Sequence, residues 1–115
     1  MNRRYYQLNL KIDIEESQNG RVVKLAGEVD VYTAPMLRDA IIPLTVENDS
    51  NLIVDMTEVS YMDSTGLGVF IGAFKSSHQH RSSLKLIGVT EKIERLFQIT
   101  GLSEIIDIDT KPRGE

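Results

Sequence analysis

The chain contains no cysteine. Disulfides, thiolate catalysis and cysteine-built zinc sites are thereby excluded, and the absence fits a reducing compartment. Long apolar runs are missing too: Met1 to Leu10 has no signal-peptide character, and no stretch approaches the ~20 apolar residues of a spanning helix. The expectation is a cytoplasmic protein, neither exported nor embedded in a membrane. Basic charge is present but unorganised. With 13 Lys and Arg against 17 Asp and Glu, the net charge is −4. Arg3 and Arg4, like Lys111 and Arg113, are terminal, and the Lys75 to Lys85 stretch with His78 and His80 is merely polar. A phosphate backbone would be repelled by the mean field, so no nucleic-acid partner is expected.

Repeats, linkers and low-complexity segments are likewise absent. What remains is 115 residues, 41% hydrophobic and 26% charged, an ordinary composition for one globular core. A single domain over 1–115 is expected, with its core at about 7–108 and flexible ends at 1–6 and 109–115.

Periodicity supplies the elements. Leu8, Leu10, Ile12 and Ile14 alternate with polar residues over Gln7 to Ile14, the pattern of a half-buried strand. Ser17-Gln18-Asn19-Gly20 is turn chemistry, and Arg21 to Ala26 completes an antiparallel hairpin. Thr33 is placed to cap a helix with Pro35 in its first turn and an apolar stripe at Met36, Leu37, Ala40, Ile41 and Leu44. Pro43 cannot donate to the Asp39 carbonyl, so the helix should loosen there before ending in Glu47 to Ser50. Leu52 to Met56 reads as a strand buried on both faces, followed by a turn at Thr57 to Asp63. Leu67, Phe70, Ile71 and Phe74 then mark a helix opening near Ser64, which the polar stretch Lys75 to Ser83 closes. Leu84 to Gly88 is the next strand; Thr90 caps a helix holding Ile93, Leu96, Phe97 and Ile99, with Gly101 just past its end. Ile105, Ile106 and Ile108 give a last short strand. The order β-β-α-β-α-β-α-β predicts an α/β domain with a mixed, mainly parallel sheet of four to five strands carrying helices.

In such sheets function collects beyond the carboxyl ends of the strands. Two segments there stand out, Gly27 to Thr33 and Tyr61-Met62-Asp63-Ser64-Thr65-Gly66-Leu67-Gly68. Ser64 falls where a helix opens, among free N–H groups and the positive end of the dipole. Structurally, Ser64 or Asp63 would be the N-cap and the glycines would allow close packing; functionally, the glycines leave a smooth surface beside a hydroxyl open to modification. An esterase elbow is not formed, because Met62-Asp63-Ser64-Thr65-Gly66 lacks the leading glycine, and there is no phosphate-loop motif. His78 and His80 lie about 20 Å along the same helix at 1.5 Å per residue, too far to serve Ser64 as a base. Spaced by two, they share no helical face for a metal. Glu28 and Asp30 have no third ligand or histidine near them and read as an acidic loop or one edge of a partner surface. Asp55 reads as a hydrogen-bonded strand-end residue. Neither an enzyme nor a cofactor is expected.

The blocks Gly27 to Pro35, Tyr61 to Lys75 and Leu96 to Leu102 together resemble the anti-sigma factor antagonists, bacterial single-domain proteins of the STAS fold, and the likeness runs from about Arg21 to Ile108. The Gly27 block is most similar to the RsbV-type antagonists of the general stress response. The resemblance implies partner switching: the unphosphorylated protein captures an anti-sigma factor that is also a serine kinase and so frees a sigma factor. Phosphorylation of Ser64 ends the capture, and a metal-dependent serine phosphatase reverses it transiently. It also implies a partner surface that uses Asp30, Thr65, Gly66 and Leu67; Glu28, Tyr32, Asp63 and Gly68 beside them complete the expected surface, and Thr65 is the rival phosphoacceptor. The competing reading is a non-enzymatic STAS scaffold or regulatory subunit of a larger sensory assembly, which should self-associate.

Overall fold

The computed structural model describes residues 3–7, 9–18, 20–47 and 49–111. Six strands form one sheet: β1 Arg3–Gln7, β2 Leu10–Ser17, β3 Gly20–Val29, β4 Asn51–Met62, β5 Ser83–Val89 and β6 Asp107–Thr110. Between them run the helices α1 Ala34–Ile41, α2 Ser64–Gln79 and α3 Glu91–Ile99. Strand order in the sheet is β1-β2-β3-β4-β5-β6. The first two pairings are antiparallel and the other three parallel.

This topology dictates the layering. Every crossover from β3 onward steps to the next position in the same direction, and right-handed crossovers then place α1, α2 and α3 on one face of the sheet. Burial agrees. The register row Ile14, Val23, Val54 and Leu86 points into the core, with Ile108 half-buried at its end, whereas the row Arg4, Asp13, Lys24 and Asp55 lies on the opposite, polar face. Beneath the helices Phe70 of α2 meets Phe97 of α3 edge to face at 6.1 Å, both fully buried.

The expected element order holds, with three corrections. The sheet has six strands rather than four to five because Arg3–Gln7, of which 3–6 were expected in a flexible lead and Gln7 at the start of the first strand, pairs with β2 and sets Tyr5 against the core. Leu8 and Asn19, placed by alternation in a strand and a turn, lie outside the described residues, as do 112–115 of the expected tail; Asp109 and Thr110 belong to β6. The expected turn at Thr57 to Asp63 is strand through Met62. Two register shifts against β3 let β4 continue: Asp55 Oδ1 accepts from the Thr57 amide at 3.0 Å and its hydroxyl at 2.6 Å, so the turn-like residues build a bulge. Ile105 and Ile106 fall outside the last strand, after a 3-10 turn at Leu102–Glu104.

The helix ends follow their local chemistry. Pro43 stops α1 at Ile41, and the chain tightens into a 3-10 turn over Ile42–Thr45, where the Thr45 hydroxyl lies 2.6 Å from Ser76 Oγ on α2. Thr90 Oγ1 accepts from the Ile93 amide at 3.3 Å, the cap expected of it. Gly101 takes the left-handed conformation, φ 79°, just after α3. At Gly27, φ 120°, a Cβ would lie 1.8 Å from the Asn9 carbonyl oxygen, so the close approach of the chain before β2 requires glycine.

Candidate partner-binding site

Adjacent parallel strands β3 and β4 end side by side, and each is followed by a turn built in the same way. After β4, Asp63 is extended and caps α2: its Oδ1 accepts from the Thr65 amide at 2.9 Å and the Gly66 amide at 3.2 Å. After β3, Asp30 Oδ1 accepts from the Tyr32 amide at 2.9 Å and the Thr33 amide at 3.0 Å. Asp63 thereby satisfies two backbone donors that the start of α2 leaves orphaned, whereas Asp30 ties two amides of the turn before α1. The Asp63 amide donates to the Val29 carbonyl at 3.2 Å, joining the two turns.

Of the two capping candidates, Asp63 caps, which leaves Ser64 as the first residue of α2 with its side chain exposed. Among the described residues the Ser64 hydroxyl has no hydrogen-bond partner. Thr33, expected to cap α1, does not cap it by its side chain. Its buried hydroxyl instead donates to the Glu28 carbonyl at 2.9 Å and accepts from the Asp30 amide at 3.0 Å. No side chain among the described residues caps α1; Asp30 instead closes the turn that precedes it, while the Thr33 hydroxyl is already committed within that turn.

The other predicted site residues divide by exposure. Tyr32 and Gly68 face solvent, Thr65, Asp63, Asp30 and Glu28 are half-buried, and Gly66 and Leu67 are buried. Gly66 packs where a Cβ would come within 2.7 Å of Val29 Cγ1 and 2.8 Å of Met62 Cγ, and Leu67 belongs to the core. Glu28 lies within β3 rather than in an acidic loop. Two exposed apolar residues of the singled-out segments were not among the expected partner residues, Val31 at 57% and Tyr61 at 47%, beside Tyr32 at 69%. The signal was available: large apolar side chains at strand ends with no periodic partner. Tyr61 also borders a cleft of about 100 Å³ lined by Ser60, Met62, Lys92, Ile93 and Leu96. His78 and His80 sit at the far end of α2, and no group of three or more potential metal ligands occurs among the described residues. Among these residues no helix is long and apolar enough to cross a membrane.

The site is thus an exposed hydroxyl on a turn capped by Asp63, with Tyr32 and Tyr61 exposed at the adjoining ends of the two neighbouring strands. Comparison with known proteins identifies the family. Residues 11–113 match the STAS domain family. The chain is 48% identical to the anti-sigma-B factor antagonist of Bacillus subtilis over 93% of its own length and 97% of that protein's. It is 50% identical to the antagonist of the same name from Listeria monocytogenes, over 88% and 90%. Among solved structures, SpoIIAA in its unphosphorylated form superposes with a TM-score of 0.72 over 87% of this chain and 89% of that one. The phosphorylated form of SpoIIAA from Bacillus does so at 0.68 over 87% and 92%; both are 22% identical and speak to the fold. The chain belongs to the STAS domain family, where its curated relatives are anti-sigma factor antagonists.

Proposed function

We infer that this protein is an anti-sigma factor antagonist and that Ser64 is its switch. Unphosphorylated, it binds a serine-kinase anti-sigma factor and so releases a sigma factor; the kinase phosphorylates Ser64, the complex dissolves, and a metal-dependent serine phosphatase resets the chain. One observation carries the reading: an unpartnered, exposed hydroxyl on the first residue of a helix that Asp63 has already capped.

The switch follows from electrostatics. A phosphate adds about −1.5 to −2 charge. Within the chain it meets the positive end of α2, so the fold tolerates it. At an interface closed over Ser64 the same charge is buried without a counter-ion, at a cost of roughly 2 to 5 kcal/mol. That is about thirty-fold to several-thousand-fold in dissociation constant, an on/off change without refolding. Tyr32, Thr65 and Gly68 contribute surface to this interface, while Asp63, Gly66 and Leu67 hold the turn beneath it.

The test mixes the chain with its kinase anti-sigma factor and ATP, following complex formation and phosphopeptide mass. Ser64→Ala should bind and stay unmodified. Ser64→Asp should bind in the weakened range above with native circular dichroism. Equal affinity of the two variants, or phosphate mapped to Thr65, would remove Ser64 as the switch.

A further inference from the structure

The resemblance puts Asp30 in contact with the partner, yet the geometry assigns it other work. Its Oδ1 is turned into its own chain, accepting from the Tyr32 and Thr33 amides at 2.9 and 3.0 Å, with the Thr33 hydroxyl at 3.3 Å. Its own amide donates to Thr33 Oγ1, and its carbonyl accepts from the Ala34 amide at 2.9 Å. Five polar contacts therefore close a turn of which Val31 and Tyr32 are the tip. That tip carries the most exposed apolar side chains near Ser64, 57% and 69% accessible. Apolar and aromatic side chains held out on a rigid turn are the usual anchors of a protein interface, because little rotamer freedom is lost when they dock. A carboxylate already satisfied by backbone amides has less to offer a partner.

We propose that Asp30 is a positioning residue: it binds no partner itself but folds the turn that presents Val31 and Tyr32, and Tyr32 makes the contact. The proposal rests on the reading of this surface as the anti-sigma factor's docking site. Two chemistries compete. If Asp30 acts by shaping the turn, any side chain able to accept the same two amides will replace it, and asparagine does so. If it acts through its charge, by way of Oδ2, which has no partner among the described residues, asparagine will fail.

The test compares Asp30→Asn, Asp30→Ala, Tyr32→Ala and the double variant Asp30→Ala/Tyr32→Ala in two measurements. Amide hydrogen exchange on the free protein reads the turn; affinity for the kinase anti-sigma factor reads the surface. Asp30→Asn should keep the protection of the Tyr32 and Thr33 amides and bind within about three-fold of the parent. Asp30→Ala should lose that protection and bind about ten-fold or more weakly, as should Tyr32→Ala, and the double variant should be no worse than Tyr32→Ala alone. An Asp30→Asn variant with a protected turn but weak binding would overturn the proposal in favour of a direct charge contact, as would additive losses in the double variant. Failure of the unmodified chain to bind any kinase anti-sigma factor would sink the docking reading itself. Unchanged exchange in Asp30→Ala with binding intact would sink the positioning role alone.

Discussion

At the residue scale the motif's two glycines have opposite reasons to be there. Gly66 is buried against Val29 and Met62, and a methyl group would press on a stiff β-branched side chain and the stem of another. Gly66→Ala should therefore destabilise the fold by about 1 to 3 kcal/mol in urea denaturation. Gly68 lies on the exposed face of α2, and a Cβ there would meet nothing within 4 Å. Gly68→Ala should stabilise the isolated protein by up to about 1 kcal/mol, since a helix interior prefers alanine. In a binding titration the variant should hold the anti-sigma factor more weakly, because the partner loses its close approach. Asp63→Ala should cost about 0.5 to 2 kcal/mol through the lost cap. The place of Ser64 at a helix start was legible from residue types alone. Which of Asp63 and Ser64 would cap was not, since both are good capping residues and only the backbone at 63, extended with φ −113°, decides. The inward face of Leu67 was legible in the stripe it forms with Phe70, Ile71 and Phe74, and its burial favours that stripe over the partner surface the resemblance implied.

At the element scale the three strand-and-helix units were readable because the apolar period changes from near-continuous in β4 and β5 to 3.6 in α2 and α3. The unread parts are those that neighbours impose. Arg3 to Gln7 has no alternation, and its strand exists because the outer edge of β2 offers unpaired hydrogen-bonding groups; Arg3 and Arg4 then keep the new edge charged and exposed. Thr57, Glu58 and Ser60 look like turn residues, and pairing with β3 draws them into β4, Glu58 opposite Ala26 and Thr57 and Ser60 at the two register shifts. At the other edge Lys85 Nζ stands 3.2 Å from Asp109 Oδ2 on β6. The hydrogen bond to Asp109, then its charge, then that of Asp107 hold the Lys85 ammonium above the ordinary lysine value, outweighing a small desolvation effect. A raised folded value means a contribution fully present below the unfolded pKa of about 10.4 and lost as pH rises through the folded one. Exposure and salt keep it small. Thermal melts from pH 9 to 12 should show wild type losing a slight advantage over Asp109→Asn, and none should be seen at high salt.

At the scale of the whole molecule, one apolar layer between a sheet and three helices leaves nothing that could melt separately, and we propose that the chain is a single folding unit. Circular dichroism and tyrosine fluorescence should give coincident urea transitions. Removing residues 1–7 should lower stability by about 1 to 2 kcal/mol, through lost cover from Tyr5, without abolishing the transition. Strand order in the sheet repeats strand order in the chain. No segment has to be threaded past one already in place, and the longest loop to close is a single crossover, whose entropic cost grows only with the logarithm of its length. Assembly can spread like a zipper from the hairpin or from any crossover, and renaturation by dilution from urea is expected in milliseconds rather than minutes. A chain that matures so quickly is competent almost as soon as it leaves the ribosome, so its rate of synthesis, and not its folding, sets how fast new copies come into play.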